Sequence, residues 1–276
     1  ALFTTVDSDD DLAAVGEAVA ATGIAVLVVG KGSNLLVADA GFDGLAVRLG
    51  ESFATVSIDG TRVRAGGAAA LPVVARKTAA AGLTGFEWAV GVPGSVGGAV
   101  RMNSGGHGSD LAASLQRVRV ADLAGGEDGV VTTAALDLAY RRSSVGVAEV
   151  VVWAELELAV GDAVAAEAEI SEIVRWRRAN QPGGQNAGSV FTNPPGDSAG
   201  RLVDAAGAKG LRLGTAEVSP KHANFIQADP DGSADDVWSL MAEVRRRVAA
   251  HSGVVLHPET RLVGFPDLPD LPEATA

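Results

Sequence analysis

The 276-residue chain has no cysteine, which excludes disulfides, thiolate catalysis and Cys-ligated metals. Histidine occurs only four times, at His107, His222, His251 and His257, too scattered for a structural zinc site, and no metal is expected. Aromatic residues make up 4%, with Tyr140 the sole tyrosine. Basic residues are outnumbered, 22 Lys and Arg against 34 Asp and Glu, for a net charge of −12. No general nucleic-acid binding is expected from such a chain, because neutralising phosphates needs a basic face. An anionic ligand would instead need cations gathered locally. No apolar run reaches the length of a membrane span, and no basic region followed by an apolar core opens the chain. The cytoplasm is therefore the default compartment. The chain opens at Ala1 without methionine, and an upstream segment, missing or processed, is expected.

What is present reads as a globular protein of several packed units. Asp7 or Ser8 caps a helix through Leu12, Val15 and Val19 that ends near Gly23. Buried strands follow at Ile24 to Val29 and Leu45 to Leu49. Val56 to Ile58 and Arg62 to Arg64 alternate around an Asp59-Gly60 hairpin turn, and a helix from Leu71 to Ala81 stops at Gly82. Gly82 to Gly108 is too rich in glycine for regular structure. Strands resume at Leu115 to Val120 and Val150 to Leu158. The last third is more helical, with helices at Val164 to Ala179, Ser198 to Ala206 and Asp235 to Ala250. Arg175, Arg177 and Arg178 suit the first of these at its C-terminal end. The four tryptophans read as packing anchors, and the proline-containing tail from Phe265 as loosely attached.

Glycine, at 35 residues, is abundant, and two loops concentrate it. Gly30-Lys31-Gly32-Ser33-Asn34-Leu35 follows a strand. A G-x-G-x-x-G dinucleotide fingerprint would need glycine at position 35, where leucine stands, so a Rossmann turn is disfavoured. Consecutive small-residue amides can nonetheless form a concave anion site. Gly91-Val92-Pro93-Gly94-Ser95-Val96-Gly97-Gly98-Ala99, continuing to Asn103 and Gly105, interleaves apolar residues that a solvated loop would not favour. Together the two loops point to a dinucleotide held largely by backbone.

Asn186-Ala187-Gly188-Ser189-Val190-Phe191-Thr192-Asn193-Pro194 isolates a serine outside the G-x-S-x-G elbow, since Phe191 occupies the second glycine's place. Such a serine reads as a fixed hydroxyl that gives or takes a proton, or as a turn or capping residue.

This stretch resembles the N-A-G-S-x-F-x-N-P signature of the UDP-N-acetylenolpyruvoylglucosamine reductase (MurB) family. Both glycine loops resemble that family's flavin-binding segments. Tyr140-Arg141-Arg142-Ser143 is similar to its Y-R-x-S, Ser219 to Phe225 to S-x-K-H-A-N-F, and Leu256 to Gly264 to L-x-P-E-x-x-x-x-G. The resemblance implies an α+β fold: a two-part FAD-binding domain of the vanillyl-alcohol-oxidase type plus a smaller α/β substrate-binding domain. The implied division is 1–52 and 53–180 with 255–276 for the two FAD-binding parts, and 181–254 for substrate. FAD and NADPH are the implied cofactors, and a UDP-sugar enolpyruvate the implied substrate of a monomer in peptidoglycan precursor synthesis. Two departures stand out. The family's usual opening segment does not precede Ala1, so some flavin contacts are expected to be missing. The short spacing from Arg141 to Ser189 resembles type II members, so no tyrosine lid is expected, and Tyr140 is not that residue.

By the same resemblance, Gly30, Lys31, Gly32, Ser33, Asn34 and Leu35 bind the flavin cofactor, as do Gly91, Val92, Pro93, Gly94, Ser95, Gly97, Gly98, Ala99, Asn103 and Gly105. Ser189 matches the proton donor. Arg141 suits a developing carboxylate charge through its two parallel donors, with Arg142 left to a salt bridge. Glu259 should act protonated, because a carboxylate beside a developing dianion would oppose the reaction. Tyr140, Arg178, Asn193, Lys221 and His222 are the substrate-binding candidates, with Arg177 beside them. Two further functions stay open at this level: an alcohol or sugar oxidase on the same scaffold, and a non-catalytic nucleotide-sugar sensor.

Overall fold

The computed structural model describes residues 2–271. Two compact units result: Ala1–Lys31 with Asp43–Arg177, and Gly32–Phe42 with Arg178–Ala276. The first holds two apolar cores and the second holds one.

In the first unit, helix α1 (Asp9–Thr22) begins where Ser8 accepts from the Asp11 amide and ends at Gly23, in the left-handed conformation at φ 65°. Such an N-cap contributes about 1 kcal/mol. The helix buries Leu12 and Val19 beside a parallel sheet in the order Leu2–Val6, Leu45–Leu49, Val26–Val28. Val6, Leu12, Val47, Leu123, Val150 and Val152 form the small core there. The larger core lies against an antiparallel five-stranded sheet, ordered Asp128–Thr132, Leu115–Asp122, Glu149–Glu157, Arg62–Gly66, Val56–Asp59. Strand Glu149–Glu157 contributes to both cores, Val150 and Val152 to one and Val151 to the other. Asp59 pairs with Arg62, so Gly60 and Thr61 form the hairpin turn, one residue later than expected. Gly60 takes the positive φ of 59° that this turn demands.

Helix α2 (Leu71–Ala80) ends as expected just before Gly82. The glycine-rich stretch after it differs from expectation. Glu87–Gly91 is a 3-10 turn and Val96–Met102 forms helix α3, opened by Ser95, whose hydroxyl accepts from the Gly98 amide. Glycine disfavours a helix by about 1 kcal/mol per residue. Tertiary packing decides here, because a Cβ on Gly97 would lie 3.2 Å from the Gly67 carbonyl oxygen. Helix α4 (Ala163–Asn180) buries Ala166, Ile170 and Ile173. Trp88 is buried, as an anchor should be, whereas Trp176 is 46% exposed and meets His107 edge-on at 5.2 Å.

The second unit builds its core from helices α5 (Ala199–Ala205) and α6 (Ala234–Ser252) around a three-stranded antiparallel sheet, Arg212–Leu213, Ala216–Val218 and Ile226–Ala228. Leu240, Met241, Val244 and Val248 line the buried face of α6. Strand Arg261–Val263 pairs in parallel with Leu35–Val37, and Leu256 is buried in this core. Residues 255–271 cluster with 178–254 in the second unit, while the division implied by the family resemblance places 255–276 with 53–180. Up to residue 271 the tail is also better anchored than its prolines imply. Phe265 stacks on Trp238, whose indole donates to the Pro266 carbonyl at 3.2 Å, and Leu268 is buried.

Candidate active site

The first unit encloses a cavity of about 530 Å³, in the range that holds small-molecule ligands and cofactors. Both glycine loops line it, Gly30 and Lys31 from one, Ser95, Gly97 and Gly98 from the other. Missing side chains allow this approach. A Cβ on Gly30 would stand 2.5 Å from the Ser95 hydroxyl, and one on Gly67 would stand 1.9 Å from the Val151 carbonyl oxygen. Backbone bonds fix the wall, Gly97 to Gly67 at 2.9 Å and Gly67 to Val152 at 2.8 Å. Among the described residues, the Gly30 and Lys31 amides have no acceptor and are available to a ligand. Lys31, Arg48 and Arg101 bring positive charge to the lining, and Asp7, Glu51 and Glu149 bring carboxylates. Cations and free amides suit a diphosphate, and carboxylates suit hydroxyl groups of a ribose. The residues fit the nucleotide portion of a dinucleotide.

Arg141 sits in the same unit at the third position of a tight turn. Ala139 and Arg142 exchange both backbone bonds at 3.0 Å, and Arg141 takes φ 56°. A non-glycine residue in that region is strained and persists only where its surroundings hold it. Asn103 supplies part of the hold. Buried at the end of α3, its amide donates to the Ala139 carbonyl at 3.1 Å and to Asp110 at 3.2 Å, while its oxygen accepts from the Ala112 amide at 3.0 Å. The Arg141 guanidinium donates to the Gly105 carbonyl at 3.2 Å and lies 5.0 Å from the Tyr140 ring centroid. Asn103 and Gly105, expected as cofactor contacts, thus brace the arginine turn. Arg142 pairs with Asp137 at the surface, as expected of the bystander.

The second unit brings Ser189 and Glu259 together across 70 residues of sequence. Phe191 forms an antiparallel bridge with Pro258, and the Val190 carbonyl accepts from the Glu259 amide at 2.8 Å and from Thr260 at 3.3 Å. Asn34, from the first glycine loop, donates to the Glu259 carbonyl at 3.0 Å and accepts from the Arg261 amide at 2.9 Å. Glu259 is therefore gripped through its main chain from two sides, by the serine strand and by Asn34. Both Ser189 and Glu259 are half-buried.

Comparison with known proteins decides the family. Residues 180–263 match the UDP-N-acetylenolpyruvoylglucosamine reductase C-terminal domain, and residues 1–130 match an FAD binding domain. The UDP-N-acetylenolpyruvoylglucosamine reductase of Heliobacterium modesticaldum is 42% identical over 95% of this chain and 84% of its own length. That of Paramagnetospirillum magneticum is 42% identical over 96% of this chain and 86% of its own. The crystal structure of the Thermus caldophilus enzyme (MurB) superposes with a TM-score of 0.82 at 34% identity, covering 95% of this chain and 91% of that one. The chain belongs to the UDP-N-acetylenolpyruvoylglucosamine reductase family. It is an FAD-dependent oxidoreductase of the α+β class, combining an FAD-binding domain with the MurB C-terminal domain.

The remaining candidates of this MurB-family chain occupy varied positions. The Lys221 ammonium donates to the Arg178 carbonyl in the last turn of α4, where a cation complements the helix end. Asn193 accepts from the Ala199 amide at 3.0 Å and so holds the start of α5, leaving its amide protons for other partners. His222 accepts at Nδ1 from the Asn224 amide at 3.2 Å, which leaves the proton on Nε2. Burial and, less strongly, the charge of Lys209 hold its pKa below the ordinary histidine value. Burial likewise lowers that of Arg177. Sequence reasoning missed Arg48, Gly67, Arg101 and Glu149 in the cavity. Only Gly67 carried a signal, as part of a glycine doublet ending a strand, which marks close backbone approach. No local pattern singles out the others.

Proposed function

We propose that this chain reduces UDP-N-acetylglucosamine enolpyruvate to UDP-N-acetylmuramate with NADPH, in peptidoglycan precursor synthesis, and that Ser189 supplies the proton. The observation that carries this reading is the frame around Ser189. Main-chain bonds fix the serine strand beside Glu259, and the Ser189 hydroxyl has no hydrogen-bond partner among the described residues. FAD, held by Gly30, Lys31, Ser95, Gly97 and Gly98, would supply the hydride relay between NADPH and the terminal carbon of the enol ether. Charge then develops on the neighbouring carbon and spreads into the substrate carboxylate. The Ser189 hydroxyl protonates that carbon, which is basic enough to accept from so weak an acid when the geometry is fixed. One hydride and one proton have then crossed the double bond, and solvent restores the serine.

Arg141 meets the developing carboxylate charge with two parallel donors, and the turn braced by Asn103 and Gly105 holds it ready at no cost during the reaction. Glu259 serves in its neutral form as a hydrogen-bond donor to the same charge. Tyr140, Arg178, Asn193, Lys221 and His222 hold the diphosphate and sugar. For Asn193 and His222 the groups in question are the amide protons and Nε2–H that their internal bonds leave over. Both substrates are water-soluble nucleotides, and the enzyme works as a cytoplasmic monomer. Among the described residues no helix is long and apolar enough to cross a membrane.

Purified holoprotein given the UDP-sugar enolpyruvate should consume one NADPH for each product molecule carrying two added hydrogens, read by absorbance and mass spectrometry. NADPH consumption that ignores the UDP-sugar would overturn the reading. Light scattering checks the monomer.

A further inference from the structure

Asn224 lies within the Ser219 to Phe225 segment, has no role in the chemistry above, and is 4% exposed. Its side chain makes two bonds to one residue. Oδ1 accepts from the Phe191 amide at 3.0 Å, and Nδ2 donates to the Phe191 carbonyl at 2.8 Å. Its main-chain oxygen accepts from the Val190 amide at 2.9 Å. On the other flank, Glu259 takes the Val190 carbonyl and His257 the Thr192 amide. All five main-chain polar groups from the Val190 amide to the Thr192 amide are thereby bonded, three of them to Asn224.

A carboxamide offers one donor face and one acceptor face in a plane, so it copies a peptide group where no strand is available. The consequence reaches Ser189 through covalent geometry. The Val190 amide belongs to the planar peptide that also contains the Ser189 carbonyl. The Asn224 main-chain oxygen holds the N–H end of that plane, its carboxamide keeps the strand seated there through both polar groups of Phe191, and the Thr260 hydroxyl donates to the carbonyl end at 3.4 Å. With the plane fixed, the direction of the serine side chain is left to the serine's own torsions. His222 in turn accepts from the Asn224 amide, fixing the brace itself.

We infer that Asn224 is a positioning residue for Ser189, its carboxamide seating Phe191 so that the adjoining Ser189–Val190 peptide stays on the Asn224 main chain and the hydroxyl meets the carbon to be protonated. The inference rests on the reductive reading above. Its reach is kinetic, because a misplacement of about 1 Å costs roughly 10²-fold in rate.

The test is anaerobic stopped-flow on FAD holoenzyme, comparing Asn224→Ala and Asn224→Asp, each alone and combined with Ser189→Ala. Asn224→Asp keeps the shape and the acceptor for Phe191 but sets an oxygen against the Phe191 carbonyl. Bleaching of the flavin by NADPH should proceed at the wild-type rate in both single variants. Recovery driven by the UDP-sugar enolpyruvate should slow about 10²-fold, with a larger solvent deuterium effect as proton transfer becomes limiting. On the Ser189→Ala background, where recovery is expected to be lost, changing Asn224 should slow any residual recovery no further. Recovery at the wild-type rate would overturn the inference, as would equal slowing of both half-reactions, an undiminished effect without Ser189, or loss of FAD or of folding in both variants. Wild-type enzyme that the UDP-sugar cannot reoxidise would instead sink the reductive reading, before any variant is compared.

Discussion

Gly67→Ala tests whether backbone-on-backbone packing builds the cavity of the first unit, proposed to hold the cofactor. The new Cβ would stand 1.9 Å from the Val151 carbonyl oxygen, 3.1 Å from its carbon and 3.0 Å from a Leu49 methyl. Real Cβ contacts do not fall below 3.0 Å, so strand and loop must separate by more than 1 Å. Two bonds meet at this residue, Gly67 to Val152 at 2.8 Å and Gly97 to Gly67 at 2.9 Å, and a shift of that size breaks both. Overpacking costs about 1–3 kcal/mol, and each lost bond about 1 kcal/mol more. The total is about 3–5 kcal/mol, which in a chain of this length lowers the melting temperature by roughly 10 °C. FAD retention should fall with it, because Gly67 and Gly97 both line the cavity. Gly129→Ala is the control. Its Cβ meets nothing within 4 Å, and a change at such a site stays within about 0.5 kcal/mol. Melting followed by circular dichroism, with FAD fluorescence after gel filtration, reads both effects. A Gly67→Ala protein that melts with the Gly129→Ala control and keeps its flavin would refute the packing argument.

Arg141→Lys keeps the charge but loses the paired donors, and should slow substrate-driven flavin reoxidation about 10–100-fold, the range of one or two charge-assisted bonds. Unchanged single-turnover rates would remove Arg141 from its role. His222 gives a pH dependence whose sign follows from burial. With its folded pKa below the ordinary 6.5, its contribution is full above pH 6.5 and is lost as pH falls through the lowered value, because the unfolded chain takes the proton more readily. His222→Gln should remove that part of the melting-temperature profile, and superimposable profiles would contradict it. Trp238→Ala deletes the Phe265 stack and the bond to Pro266. It should expose the tail to limited proteolysis and cost about 3–5 kcal/mol at most, measured by denaturant unfolding.

What could be read in the sequence was what local chemistry decides. Ser8 and Gly23 bound α1 because a capping hydroxyl and a left-handed glycine act within one turn of their own positions. Strand Leu45–Leu49 was legible for the same reason, as a short apolar run between glycines. Helix α3 was not, since two adjacent glycines read as loop until Gly67 and Val151 are known to lie against Gly97. The tail was misjudged because Trp238 and Arg245, which donates to the Pro269 carbonyl, are remote from it in sequence. At the site, the motifs named Ser189, Glu259 and Arg141 but said nothing of what holds them. Asn34 bonding Glu259 joins positions 225 residues apart, and Asn224 bonding Phe191 joins positions 33 apart. Such pairings depend on the folded topology, which periodicity along one strand or helix does not encode.

The role of Ser189 is tested most directly by reducing Ser189→Ala holoenzyme with NADPH in the absence of oxygen and then adding the UDP-sugar enolpyruvate. Bleaching at the wild-type rate followed by a flavin that stays reduced, while wild type recovers at once, is the result expected of a lost proton donor. Full recovery at the wild-type rate in the variant would contradict it and send the search for the acid elsewhere.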